Sequence, residues 1–135
     1  MFVSHFASTS LTERLLVTGS DLIGSIPTQL GSMSKLHEFD LSNNHLIGLI
    51  PTTLSKLKLL QNINLGNNYL TGSIPLLSST YLSILDLRYN LLNGTISDSN
   101  IGTLVNLKEI NLKDNRLSGI IPSNISKLSD LEYCE

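Results

Sequence analysis

One pattern recurs along this chain about every 24 residues, and it constrains the fold more than any other feature. Its fullest copy places apolar, asparagine, glycine and proline residues at fixed offsets: Leu36, Phe39, Leu41, Asn44, Leu46, Gly48, Ile50, Pro51, Leu54 and Leu57. Related copies begin at Thr12, Leu60, Leu82 and Leu107. Such a period indicates stacked structural units, each of which buries its apolar side against the next.

The spacing of apolar residues changes within each unit. Phe39 and Leu41 alternate with polar neighbours, which is the two-residue period of a short strand with one buried face. Leu54 and Leu57 are three residues apart, which suits a short helical or 3-10 turn on the return path. The pattern therefore predicts an α/β solenoid with a parallel concave β-sheet, short helical or 3-10 return segments and about five repeats.

The pattern also predicts where the units begin and end within a single domain covering residues 1–135. The predicted repeats are 12–35, 36–59, 60–81, 82–106 and 107–130, and residues 131–135 begin a further repeat that is truncated. Residues 1–11 are interpreted as the tail of a preceding repeat. Neither end carries a recognisable capping element, so we expect the ends of the solenoid to be uncapped.

An asparagine follows each of four predicted strands, where the chain turns inward and its backbone groups lose their ladder partners. A carboxamide offers two donors and one acceptor to replace those partners. Because the asparagines share one column between buried leucines, we expect them to form a structural ladder through the core: Asn44, Asn68, Asn90 and Asn115. Leaving the backbone groups unpaired would cost about 1–3 kcal/mol in each repeat.

Composition excludes several classes of protein. Leucine and isoleucine number 28 and 13, whereas charged residues are 15% of the chain and the net charge is −2. Electrostatic binding to nucleic acid, or contact of this segment with an anionic membrane, is therefore not expected. No apolar run approaches the roughly 18 residues of a transmembrane span, and residues 1–10 lack the basic residues of a signal peptide. The single cysteine, Cys134, excludes an internal disulfide framework and is interpreted as a small apolar filler.

The sequence contains no arrangement typical of an enzyme. It lacks the common hydrolase, phosphate-binding and dinucleotide-binding motifs, and its histidines do not have metal-ligand spacing. His37 and His45 occupy variable positions, where solvated side chains are expected. We therefore predict a non-catalytic protein with no cofactor and no metal site.

A solenoid presents the outward residues of its concave strands as columns that are free to vary. The candidate ligand-binding residues on that face are Glu38, Asp40, Asn64, Ile84, Asp86, Arg88, Tyr89, Glu109, Lys113 and Asp114. The set combines an aromatic residue and an arginine, which are common in binding hot spots, with polar groups that can orient a partner. The alternative is an ordinary solvated face, because every solenoid shows one.

Two N-glycosylation sequons occur on predicted return segments. They begin at Asn93, followed by Gly94 and Thr95, and at Asn124, followed by Ile125 and Ser126. Both asparagines are candidate glycan attachment sites if the protein is secreted.

The repeated phrase resembles the plant-type leucine-rich repeat, L-x-x-L-x-L-x-x-N-x-L-x-G-x-I-P, over residues 12–135. Ser20 replaces the asparagine, Thr12 the first leucine and Ser97 the proline of that pattern. The resemblance implies a right-handed coil and a fragment of the ectodomain of a receptor-like kinase or receptor-like protein. It also implies a glycoprotein that takes part in signalling at the extracellular face of the plasma membrane, or a secreted protein.

The function implied by this resemblance is recognition of a protein or peptide ligand, with a co-receptor ectodomain as a further partner. Two alternatives stay open. The first is a secreted defence protein similar to polygalacturonase inhibitors, and the second is a truncated gene product without independent activity.

Overall fold

The first of two parallel sheets is formed by the strands that open the repeats. The computed structural model of the protein describes residues 11–135. With strands numbered along the chain, this six-stranded sheet runs in the order β1 (Arg14–Leu16), β3 (Glu38–Asp40), β5 (Asn62–Asn64), β7 (Ile84–Asp86), β9 (Glu109–Asn111) and β11 (Tyr133–Cys134). The central residue of each strand pairs with its counterpart in the next, as Phe39 does with Ile63. The strands therefore stack in register, one for each coil of the solenoid.

A second parallel sheet, which the sequence pattern does not predict, follows the inward turn of each coil. It consists of β2 (Ile23–Ser25), β4 (His45–Leu49), β6 (Tyr69–Gly72), β8 (Leu91–Thr95) and β10 (Arg116–Ser118). Glycines with positive φ lie within or at the end of these strands, such as Gly48 at +80° and Gly72 at +77°. A side chain at these positions would strain the backbone, which explains the regular glycine of the repeat.

Short helical turns lie on the return path of four of the five described coils, as the sequence predicts, whereas the return segment of the third coil, residues 73–79, contains no helix. The 3-10 segments are Thr28–Ser32, Thr52–Lys56 and Ser123–Lys127, and a proline immediately precedes each of them. In the fourth coil the return segment is α1 (Asp98–Ile101), where Ser97 stands in the place of proline. The Ser97 and Asn100 side chains form a reciprocal capping box, so an α-helical turn begins without proline.

The interior is one continuous apolar cluster. Leucines that follow the strands of the first sheet, lie in the second sheet or lie in the return segments, such as Leu41, Leu46 and Leu54, are almost completely buried. Burial of each such side chain contributes about 1.5–3 kcal/mol. The structure therefore confirms an α/β solenoid with parallel sheets and short helical or 3-10 return segments.

Side-chain amides link each coil to the one before it. The carbonyl oxygen of Asn68 accepts the backbone N–H of Leu46 at 3.0 Å. Its amide nitrogen donates to the carbonyl oxygen of Leu41 at 3.0 Å in the preceding coil and to that of Leu65 at 3.1 Å in its own coil. Equivalent bonds are made by three other asparagines: Asn44, Asn90 and Asn115. These bonds supply partners to backbone groups that the turn removes from the sheet ladder.

The last described coil leaves apolar surface uncovered. A depression of about 370 Å³ there is lined mainly by isoleucine and leucine, with Cys134 at its edge. Cys134 pairs with Ile110 in the sheet register, which is the apolar column predicted for it, but its side chain is exposed. The interpretation of residues 1–11 as the tail of a preceding repeat falls, except for residue 11, outside the described residues.

Candidate ligand-binding face

The outward residues of the six-stranded sheet form two rows across the coils because the parallel register places equivalent positions side by side. One row contains Arg14, Glu38, Asn62, Ile84, Glu109 and Tyr133. The next contains Leu16, Asp40, Asn64, Asp86 and Asn111. Any ligand that lies across this face therefore meets one side chain of each row at each of the first five strands.

A depression of about 410 Å³, here called the sheet pocket, lies at the fourth, fifth and sixth strands of this face. It is lined by Ile84, Leu85, Asp86, Arg88, Glu109, Asn111 and Tyr133. Four of the ten candidate residues named from the sequence therefore line one pocket. Asn111 and Tyr133 also line it but were not among the candidates.

Four polar residues of the second row accept a hydrogen bond in the turn that follows the strand. One side-chain oxygen of Asp40, Asn64, Asp86 and Asn111 accepts the backbone N–H two residues later, at 2.9–3.1 Å. Asp40 also accepts a hydrogen bond from the Asn64 amide at 3.3 Å. These side chains hold the turn that follows each strand, which is a structural role that repeat spacing alone does not reveal.

Most charged groups around the sheet pocket are paired. Arg88 Nε lies 3.3 Å from Asp86 Oδ2, and Lys113 Nζ lies 2.6 Å from Glu135 Oε1. Hydrogen bonding and charge attraction from Glu135 raise the pKa of Lys113. The same bond to Lys113, and a second from the Tyr133 hydroxyl, lower the pKa of Glu135. Both side chains of the Lys113–Glu135 pair therefore stay charged over a wider pH range.

Glu109 differs from its charged neighbours. It is exposed, and its carboxylate has no ion pair with any residue between 11 and 135. The strand register places Ile84 on one side of it and Tyr133 on the other. The sheet pocket thus presents an unpaired negative charge between an aliphatic and an aromatic side chain.

The remaining candidate residues do not line this pocket. Glu38 pairs with Arg14 at 2.8 Å near the other end of the sheet. Tyr89 and Asp114 occupy the turn after the strand with φ of +53°, and Tyr89 lines a different depression. The structure therefore separates Tyr89 from Arg88, although the two are adjacent in sequence.

The two histidines differ in exposure. His45 is exposed and lies 3.3 Å from Asp21, as expected for a solvated side chain. His37 is only partly exposed, and its Nδ1 is buried without a hydrogen-bond partner among residues 11–135. The expectation of a solvated side chain is therefore wrong for this nitrogen of His37.

The two sequon asparagines have different surroundings. Asn93 is exposed on β8, whereas Asn124 is half-buried and its side-chain nitrogen donates to the Asp98 carbonyl oxygen at 3.3 Å. The Asn124 backbone N–H also donates to Asp98 Oδ1 at 2.8 Å. This bond, followed by one from the Ser123 hydroxyl, lowers the pKa of Asp98.

Residues 11–135 contain neither a cluster of metal ligands nor a membrane-spanning helix. Among residues 11–135, no group of three or more His, Cys, Asp or Glu side chains is placed to hold a metal ion. In the same part of the chain, no helix has the length and apolar character needed to cross a bilayer.

Comparison with known proteins places the chain in a structural class. A family model described as Leucine Rich Repeat matches residues 35–57, 59–79 and 106–128. The ectodomain of the plant membrane receptor kinase GASSHO1/SCHENGEN3 from Arabidopsis thaliana, solved with CASPARIAN STRIP INTEGRITY FACTOR 2, is 40% identical with a TM-score of 0.78. The match covers 84% of this chain and 14% of the receptor chain.

Two further solved structures are similar. The ectodomain of the receptor kinase SOBIR1 from Arabidopsis thaliana is 32% identical with a TM-score of 0.79, over 88% of this chain and 66% of that one. The plant peptide hormone receptor RGFR1, solved with RGF2, is 32% identical with a TM-score of 0.73, over 90% of this chain and 23% of that one. The chain thus spans between about a seventh and about two thirds of the length of these relatives.

No curated protein sequence matches the chain significantly. The repeat match, the stacked parallel sheets and the receptor structures nevertheless agree with one another. The chain is a leucine-rich-repeat protein similar to the ectodomains of plant receptor kinases.

Proposed function

We propose that this protein is a non-catalytic recognition module that binds an extended peptide across the outer face of the six-stranded sheet. The observation that carries the proposal is the unpaired Glu109 carboxylate between Ile84 and Tyr133 in the sheet pocket. Similarity to the plant peptide hormone receptor RGFR1 supports a peptide as the ligand.

The chemistry of the sheet pocket favours a basic side chain of the peptide. The aliphatic stem of a lysine or arginine packs on Ile84 and on the Tyr133 ring, while its charged head reaches the Glu109 carboxylate. Arg88 lines the pocket and Lys113 lies beside it, and both are already paired with acidic side chains. They offer remaining N–H groups to carbonyl oxygens of the peptide.

An extracellular position belongs to the same proposal. The similar structures are ectodomains of plant receptor kinases, which supports a parent protein at the outer face of the plasma membrane. Asn93 is then a glycan attachment site, because it is exposed on β8 and starts a sequon. A co-receptor ectodomain is a further partner under this proposal.

The test is a positional-scanning library of twelve-residue peptides bound to the 135-residue chain. We expect lysine or arginine to be selected at one position. Glu109→Gln should weaken binding of the best peptide about fivefold, which corresponds to about 1 kcal/mol for one exposed charge pair. Glu13→Gln is the matched control, because Glu13 is an exposed acid on the first coil, outside the sheet pocket.

Two results would contradict the proposal. One is a library in which no basic residue is selected at any position. The other is a selected peptide that binds the Glu109→Gln variant as tightly as it binds the original chain.

A further inference from the structure

A second depression, here called the flank groove, lies where the turns after the first sheet lead into the second sheet. Its volume is about 340 Å³, and its lining residues are Asn43, Asn44, His45, Asn67, Asn68, Tyr69 and Tyr89. None of these described residues lines the sheet pocket. The flank groove is therefore a separate surface, formed by the second, third and fourth coils.

Aromatic rings form the walls of the flank groove. Tyr69 and Tyr89 are 52% and 45% exposed. The His45 ring lies beside Tyr69 with 6.0 Å between ring centroids and 20° between ring planes, an offset stack that leaves part of each ring uncovered. Rings that are this exposed in a depression offer stacking surface to a ligand.

Tyr89 occupies an unusual backbone position for an aromatic residue. Its φ is +53°, and the equivalent turn positions of the other coils, which also have positive φ, hold Gly19, Asn43, Asn67 and Asp114. Glycine, asparagine and aspartate tolerate this conformation, whereas a bulky side chain is strained there. The fold therefore places the Tyr89 ring at the groove despite a local cost.

Three side chains of the flank groove, Asn67, Tyr69 and Tyr89, offer uncharged polar groups that are available to a ligand. The Asn67 side chain and the hydroxyls of Tyr69 and Tyr89 make no hydrogen bond with any residue between 11 and 135. The Asn43 amide donates to Ser42 Oγ at 3.2 Å, which leaves its carbonyl oxygen free within that part of the chain. The lining contains no lysine, arginine, aspartate or glutamate among the described residues.

We propose that the flank groove binds a neutral saccharide. Aromatic rings stack on the apolar C–H faces of sugar rings, and a planar carboxamide donates to one hydroxyl while it accepts from the next. A groove without a lysine or arginine gives no compensation for a phosphate or carboxylate on the ligand. Its volume lies within the range of small-ligand sites, which is about 300–1,000 Å³.

Calorimetric titration of the 135-residue chain tests this inference with four defined probes. Three are neutral, namely cellohexaose, xylohexaose and mannohexaose, and the fourth is the anionic hexagalacturonate. We expect at least one neutral hexasaccharide to bind, and to bind more tightly than hexagalacturonate. Tyr89→Asn should weaken that binding at least about tenfold, and it should fold normally because asparagine occupies the same turn position in two other coils.

Two control variants separate this site from the rest of the surface. Tyr81→Ala removes a tyrosine that is 58% exposed and lies outside the lining of the flank groove, so saccharide binding should not change. Glu109→Gln alters only the sheet pocket, so it should leave saccharide binding unchanged. Saccharide binding and peptide binding can therefore fail independently.

Asn67→Asp tests the uncharged character of the flank groove. It keeps the shape of the side chain and adds a negative charge, and we expect it to weaken saccharide binding.

Three outcomes would overturn the inference. The first is absence of binding by all three neutral probes at concentrations up to about 10 mM. The second is preferential binding of hexagalacturonate. The third is equal affinity of the Tyr89→Asn variant and the original chain.

Discussion

At the scale of single residues, a carboxamide in the core does more than fill space. Asn68 joins the backbone of two successive coils through one accepted and several donated hydrogen bonds. Its side chain is buried, so water does not replace the lost partners when the amide is removed. The fixed column of asparagines therefore follows from backbone groups that would otherwise be unsatisfied.

Replacing Asn68 with alanine should destabilise the protein strongly. We expect the free energy of unfolding to fall by at least about 2 kcal/mol, because several buried backbone groups lose their partner. Urea unfolding measures this change. Asn62→Ala is the control, since Asn62 lies on the sheet face, and it should change stability by less than about 0.5 kcal/mol. Equal effects of the two substitutions would contradict the structural role of Asn68.

Tyr89 gives the opposite expectation for stability. Its positive φ is unfavourable for a tyrosine, so Tyr89→Asn should raise the free energy of unfolding by about 1 kcal/mol. Thermal unfolding measures this difference. Tyr81→Asn is the control, because Tyr81 is not among the described residues with positive φ. A Tyr89→Asn variant that is less stable than the original chain would show that ring packing outweighs backbone strain.

Single residues also show where prediction from sequence stops. Glu109 and Ile84 were found because repeat spacing gives the row in which they lie. Tyr133 was missed because its repeat is truncated, although it follows Leu131 by two residues as Glu109 follows Leu107. The separation of Tyr89 from Arg88 depends on the left-handed turn between strand and groove, and side-chain direction at that turn is not encoded in a two-residue period.

At the scale of elements, the first sheet and the return turns follow from apolar spacing, whereas the second sheet does not. Leu46, Gly48 and Ile50 indicate an extended segment, but glycine with positive φ is more typical of a turn. Parallel pairing arises here because stacking the coils brings equivalent backbone segments together, as Gly48 and Leu70 show. That pairing is a property of neighbouring repeats and not of one segment.

The contact between α1 and the next return segment should depend on pH. Asp98 has a lowered pKa because its carboxylate accepts the Asn124 N–H and the Ser123 hydroxyl. A lowered pKa in the folded state gives stability at neutral pH that is lost as the pH falls through that folded pKa. At pH 7 the Asp98→Asn variant should therefore be less stable than the original chain, and the difference should shrink in acid.

Urea unfolding of both proteins at several pH values between 7 and 3 measures that difference. Asp130→Asn is the matched control, because Asp130 is exposed and bonds only to the adjacent Ser129 in the described part of the chain. A difference between Asp98→Asn and the original chain that stays constant with pH would contradict the role of the Asp98 charge.

At the scale of the whole molecule, repeated local contacts replace a central globular core. Each coil meets only its neighbours, so two continuous faces and two ends result. Repeat spacing was sufficient to predict the solenoid and the face on which the sheet pocket lies. It was insufficient for the pocket itself, because ion pairs such as Lys113–Glu135 decide which charges stay available.

We propose that the peptide binds in the sheet pocket and on no other face of the solenoid. The most direct measurement is amide chemical-shift mapping of the 135-residue chain by NMR with the peptide selected from the library. We predict the largest shifts at Leu85, Glu109, Asn111 and Tyr133, with little change at Ile47 and Thr71 of the second sheet. Largest shifts on the second sheet, with unchanged amides around Glu109, would contradict peptide binding in the sheet pocket.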